Sequence, residues 1–466
     1  MSDTKVFIIG LDCVPPELVF DTWRADLPAL SALMSGGAYG PLKSITPPIT
    51  VPAWMSMMTS KDPGTLGFYG FRNRGSRDYR DHKVANSTWV HEDTVWDILS
   101  RDGRQVVVVG VPATYPPKPV NGSLVGCFLT PSVKQSQYTY PAGLKEEIAA
   151  VVGEYLVDVP DFRTEDKDYL LRQIYEMTDR RFELIDYLMD VKPWDFFMFV
   201  EMGTDRIHHG LWQCWDRTHH KFVPGNPYED AIRQYYIHLD GLIGGLVEKL
   251  DDQTVVLVVS DHGIKKMDGG ICFNEWLIRE GYLTLKAPPR GIMPIEQAEV
   301  DWSRTVAWGD GGYYGRLFLN VRGREPEGIV EPEDVDRLKA ELTVKLEALT
   351  GPDGRNIGTK VYRPEGVYRQ VRNIAPDLIV YFGDLTWRSV GKVGFDSIYT
   401  FENDTGPDDA NHAQYGMLIA RDPRRPGAGL VEGMDILDVA PTVLATMGLP
   451  VPEDMQGRPL RLTALP

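Results

Sequence analysis

The chain has 466 residues, with 49 Lys+Arg against 66 Asp+Glu and a formal charge of −17. Its 43% hydrophobic and 25% charged residues are ordinary globular values, which exclude a disordered or fibrous chain, and the negative excess repels a nucleic-acid polymer as partner. Cys13, Cys127, Cys214 and Cys272 form no CxxC pair and no window holds 18 uninterrupted apolar residues. The expectation is therefore a cytoplasmic protein with neither a disulfide framework nor a membrane partner, and the opening MSDTKVFIIGLD reads straight into a strand rather than as a leader.

In chain order, short β-branched runs lie at 6–9, 106–109, 196–200, 255–259 and 378–381, each nearly continuous in apolar character. Such runs suit strands buried on both faces of a parallel sheet. Between them, 27–35, 94–101, 168–189, 228–250, 332–349 and 434–447 read as helices, the last kinked or late-starting because of Pro441. The class is α/β. Residues 275–370 lack the buried-strand pattern and read as an inserted cap, so that 1–274 and 371–466 would form one core.

Open parallel sheets bind ligands beyond the carboxyl ends of their strands, and three strand ends carry metal-type ligands. The first runs into Asp12, the run at 255–259 into Asp261-His262, and the run at 196–200 into Asp205 and His209. Four residues apart, Asp205 and His209 share a helical face that His208 does not. Each residue has a plainer use: Asp12 or Asp205 as a helix cap, Asp261 in a turn, the histidines as packing. His412, in the polar loop 406–412, suits either a solvent-exposed position or the third ligand of an open site. Thr50, two residues before Pro52 and next to a helix-like run at 54–59, suits either an N-cap or a nucleophile activated by an ion.

Taken together, Asp12, Thr50, Asp205-x3-His209, Asp261-His262 and His412 resemble the alkaline phosphatase superfamily. The likeness is greatest to its type I phosphodiesterase/nucleotide pyrophosphatase branch and to phosphohydrolase and phosphomutase-like bacterial relatives. It extends over LPALSALMSGGAYGPLKS, the PPIT-VPAW segment, KDPGTLGFYGF, VVSDHG and DILDVAPTVLATMGLPVPEDMQGRPL. The resemblance implies a mostly parallel sheet sandwiched by helices with an inserted cap. It also implies two divalent ions, most readily Zn2+ with Mn2+ or Fe as substitutes. Asp205, His209 and His412 would hold one ion, and Asp12, Asp261, His262 and the Thr50 oxygen the other, a set of seven ligands without a thiolate. Thr50 would attack phosphorus, forming a phosphothreonine that water hydrolyses.

The implied activity is hydrolysis of a small phosphate ester or nucleotide-like substrate, with a phosphomonoesterase, a phosphomutase or a non-catalytic ligand-binding homologue as alternatives. The chain departs from its relatives at Ala53, where nucleotide pyrophosphatases carry Asn, and at Trp54, where sulfatases carry Arg. Arg72, Arg74, Arg206 and Lys265 are the candidates to bind a phosphoryl oxygen in their place, and Trp54 a candidate apolar wall for an ester group. Tyr69, Phe71, Tyr313 and Tyr314 would either stack a base or fill the core.

Overall fold

A computed structural model describes residues 4–463; the polar opening at 1–3 lies outside them. The main sheet has ten strands. At its centre Gly122–Val125, Val106–Val109, Phe196–Glu201, Lys5–Leu11 and Thr254–Val259 lie side by side and parallel. Their Val, Ile and Phe side chains are almost wholly buried, as expected of strands covered on both faces. Helices Pro28–Gly36, Val95–Arg101 and Lys167–Val191 pack against this sheet, and Gly203–Trp215, Ala231–Val247 and Val439–Thr446 pack against these helices.

Topology places the site. Lys5–Leu11 lies between Phe196–Glu201 and Thr254–Val259, so the carboxyl ends of these three parallel strands open on one edge of the sheet. Tyr415–Arg421 runs antiparallel to Thr254–Val259, so it begins on that edge. Ala38–Lys43 is antiparallel to Tyr415–Arg421 and therefore ends there. Every segment that leaves or enters the sheet on this edge can contribute a side chain to one place.

Two expectations need correction. The run at 378–381 is a strand, but Leu378–Tyr381 pairs antiparallel with Gly315–Leu319 and Lys360–Tyr362 in a separate four-stranded sheet completed by Ala307–Asp310. His412 lies not in a loop but on the strand Ala410–Ala413, paired antiparallel with Gly263–Lys266. The late start of the last helix is visible as Met434–Asp435 in a strand, one 3-10 turn, and then Val439–Thr446.

The four-stranded sheet carries its own apolar cluster, drawn from Ile271, Phe273, Trp308, Phe318, Leu342, Val380 and Val393 among others. We propose that the inserted region accordingly reaches from about Ile271 to Val393 rather than over 275–370. A smaller cluster joins the two bodies: Ile49, next to Thr50, packs with Tyr69, Tyr314, Tyr368, Ile379 and Tyr381.

Candidate metal centre

The three central strand ends and their neighbours bring Asp12, Thr50, Asp205, His209, Asp261, His262 and His412 together, none more than 2% exposed. Two clusters have ligand atoms within 4.8 Å of one another: Asp12, Asp261 and His262, and Asp205, His209 and His412 joined by Cys13. The thiol of Cys13, which the sequence-based set of seven nitrogen and oxygen ligands does not include, thus lies beside that set. Among the described residues neither His208, His219 nor His220 belongs to either cluster.

Local structure explains each placement. Gly10 is required before Asp12, because a Cβ there would lie 2.7 Å from the Trp54 ring and 2.8 Å from the Phe199 carbonyl. Trp54 donates its indole N–H to Asp12 Oδ2 at 2.7 Å. Asp205 lies in the first turn of Gly203–Trp215, and His209 Nε2 lies 3.3 Å from Asp205 Oδ1. His208 faces away, with Nδ1 3.0 Å from the Cys13 carbonyl and Nε2 3.1 Å from the Tyr236 hydroxyl.

Thr50 is the first residue of the helix Thr50–Thr59, after Ile49 in extended conformation, and its side chain caps nothing. Its Oγ1 instead lies 3.2 Å from His262 Nε2. That orientation turns the hydroxyl toward the ligands and away from the helix amides.

Each histidine in the clusters is held at Nδ1. His209 Nδ1 lies 2.7 Å from Asp408, His412 Nδ1 2.7 Å from the Pro48 carbonyl, and His262 Nδ1 3.1 Å from the Gly263 carbonyl. Partners of this kind orient the ring and leave Nε2 for an ion. Asp408 in turn accepts from Tyr313 at 3.0 Å and Arg163 at 3.2 Å. Tyr313 comes from the turn between Ala307–Asp310 and Gly315–Leu319, so the cap reaches the centre. Its ring stacks on His209 and His412 at 5.0 and 4.2 Å.

The donor set suits divalent cations. Asp12 Oδ1, Asp261 Oδ2 and His209 Nε2 are buried without a hydrogen-bond partner, a costly state unless an ion takes them up. Burial pushes Asp12 and Asp261 well above the ordinary carboxylate range, helped by Asp205 at Asp12 and by Asp12 at Asp261. Burial also pushes His262 down to about 4 and His412 well below its usual value. Against burial, Asp408 and Asp205 carry His209 up to about 10. The protein alone is short of positive charge here, and a divalent cation would supply it. These clusters of Asp, His and Cys are suited to one or two such ions.

The remaining candidates lie differently. Arg206 donates to Asp158 at 2.7 and 2.8 Å and to Asp205 at 2.5 Å. Arg74 is buried against Glu325, and Lys265 donates to the Asp384 carbonyl at 2.7 Å. Arg72 is exposed. Trp54 is fully buried beneath Asp12, so it presents no wall to a substrate. Partly exposed Phe162 and Tyr313 lie closer to that role, the Phe162 ring 6.5 Å from His209. Cys13, Asp158, Arg163 and Asp408 were missed; the adjacency of Cys13 to Asp12 was the one local signal among them.

Known proteins agree with this architecture. Human ectonucleotide pyrophosphatase/phosphodiesterase 5 superposes with a TM-score of 0.53 at 12% identity, over 99% of this chain and 96% of that one. The murine protein, as an inactive form in complex with AMP, gives 0.54 at 13% identity over 97% of each chain. A 61-residue stretch is 49% identical to a 2,3-bisphosphoglycerate-independent phosphoglycerate mutase of Rhodopirellula baltica, covering 13% of this chain and only 11% of that protein. The family model for type I phosphodiesterase / nucleotide pyrophosphatase matches residues 6–408. The buried two-cluster centre thus sits on an alkaline-phosphatase-like α/β sandwich, and the chain belongs to the type I phosphodiesterase / nucleotide pyrophosphatase family.

Proposed function

We propose that the protein is a metal-dependent phosphodiesterase or nucleotide pyrophosphatase that works through a phosphothreonine at Thr50. The observation that carries this reading is the Thr50 hydroxyl, buried, free of any capping duty and 3.2 Å from His262 Nε2. Ions in the two clusters, most readily zinc, would lower the pKa of that hydroxyl and neutralise charge on the phosphoryl group. Thr50 Oγ1 attacks phosphorus as the bond to the leaving alcohol or phosphate breaks. Water then attacks the phosphothreonine, releasing phosphate or its monoester and restoring the hydroxyl. Arg206 positions Asp205, and Asp408 positions His209.

A second reading, a phosphomutase, draws on the short match to the phosphoglycerate mutase. In it the phosphothreonine returns its group to another hydroxyl of the substrate instead of to water. Substrates of either kind are small phosphate esters or nucleotide-like molecules. Among the described residues no helix is long and apolar enough to cross a membrane. The four buried free cysteines support a reducing, cytoplasmic setting.

The test is metal analysis alongside turnover of nitrophenyl phosphate esters. About two divalent ions per chain are expected, with activity lost on chelation and restored by zinc or manganese. Full turnover by metal-free protein in strong chelator refutes the proposal.

A further inference from the structure

We infer that Cys13 is a thiolate ligand of the ion held by Asp205, His209 and His412, completing an Asp-His-His-Cys donor set; this rests on the metal-dependent reading above. A buried cysteine usually acts as a small apolar side chain. Cys13 belongs to the edge of the main apolar cluster, yet its thiol also borders the metal-type ligands. Its Sγ lies within 4.8 Å of the ligand atoms of all three partners, and it makes a weak hydrogen bond to the Gly263 carbonyl at 3.5 Å. The backbone holds it there. Cys13 N–H donates to Asp261 Oδ1 at 3.2 Å, and its carbonyl accepts from His208 Nδ1 at 3.0 Å. Its φ of +66° is a left-handed conformation costly for any residue but glycine, so the side-chain direction is set by contacts on both sides.

An independent observation points to an ion at the same place. His209 Nε2, in a side chain only 1% exposed, makes no hydrogen bond beyond its 3.3 Å ion-pair contact with Asp205 Oδ1, and it faces the other three residues of the group. Two histidines, a carboxylate and a sulfur make a donor set that zinc takes up in tetrahedral geometry, with expansion to five-coordinate where a phosphoryl oxygen is added. When the ion binds, the Cys13 S–H bond breaks, its proton passes to solvent and the sulfur lone pair forms the bond to the metal; no oxidation state changes. A thiolate favours zinc over manganese, which prefers oxygen donors. This cluster should therefore discriminate between the two metals more sharply than Asp12, Asp261 and His262, which offer no sulfur.

Cobalt(II) replacing the native ions reports the bond directly, because thiolate-bound cobalt absorbs in the near ultraviolet by charge transfer and nitrogen- or oxygen-bound cobalt does not. Cobalt per chain is counted by elemental analysis on the same samples. The expected result is a charge-transfer band in the wild-type protein that persists in Cys272→Ser and is lost in Cys13→Ser while cobalt remains bound. The zinc-over-manganese preference of Cys13→Ser should also fall at least about tenfold. Bound cobalt without the band in wild-type protein overturns the inference and leaves the metal-dependent reading standing, and a band that survives in Cys13→Ser overturns it equally. Protein that takes up no cobalt overturns both.

Discussion

The Thr50 hydroxyl contacts His262 and caps no helix, so the fold loses little when it is removed. Thr50→Ala should lower turnover by at least about a thousandfold while metal content and melting temperature stay close to those of the parent, because a nucleophile is lost and packing is not. Thr46→Ala should be mild, since it is the Thr46 carbonyl that Tyr368 uses. A dead Thr46 variant beside an active Thr50 variant would move the nucleophile. The same scale shows what a sequence can reveal of a site. Asp12, Asp261 and the Asp205/His209 pair stand out because strand ends and helical spacing are local patterns. Asp408 does not, since its contact with His209 joins residues 199 positions apart. Arg163 is likewise invisible until the fold sets it against an Asp408 that lies 245 positions away.

Secondary elements were legible where apolar runs are continuous and illegible where tertiary pairing decides. Val106–Val109 and Leu378–Tyr381 have the expected bounds, yet the second belongs to another sheet, because four apolar residues do not name their neighbours. Ala38–Lys43, carrying Gly40 and Pro41, has no strand-like sequence and forms where Tyr415–Arg421 pairs with it along its full length and Gly429–Leu430 and Met434–Asp435 pair with its two ends. The hairpin of Arg72–Arg74 and His82–Val84 is tied to the cap by ions rather than by apolar contact alone: Arg74, Arg77 and Arg324 all meet Glu325, whose side chain is fully buried. Arg77 and Arg324 are part-exposed and can turn to water, but Arg74, 1% exposed, has no such exit. Glu325→Ala should therefore cost about 3–5 kcal/mol, the usual penalty for stranding a buried charge. A denaturant midpoint unchanged from the parent would show that the pair does not hold the hairpin.

Over the whole molecule, charge and the engagement of cations bear on substrate choice. The net charge of −17 disfavours the approach of a dianion, although at ordinary salt this reaches only about 8–10 Å. Within the site, a monoester dianion presents three non-bridging oxygens; the two clusters would seat two, and the third calls for a cation or a strong donor. The cations around the site have partners, and Arg388, 6.0 Å from the Tyr313 ring, pairs with Asp404. Arg206 serves Asp158 and Asp205, Arg163 serves Asp408, and Lys265 serves the Asp384 carbonyl. Turning Arg206 toward a phosphoryl oxygen would break charge-assisted bonds worth roughly 1.5–3 kcal/mol each. Phe162 and Tyr313, by contrast, flank His209 with aromatic surface that tolerates an ester group. A diester should accordingly be turned over with kcat/KM at least about tenfold above that of the matching monoester, a difference of about 1.4 kcal/mol in transition-state binding. Bis-nitrophenyl phosphate against nitrophenyl phosphate measures it directly. A clear preference for the monoester would mean that one of these arginines leaves its carboxylate during turnover, and would favour a phosphomonoesterase or phosphomutase over the phosphodiesterase.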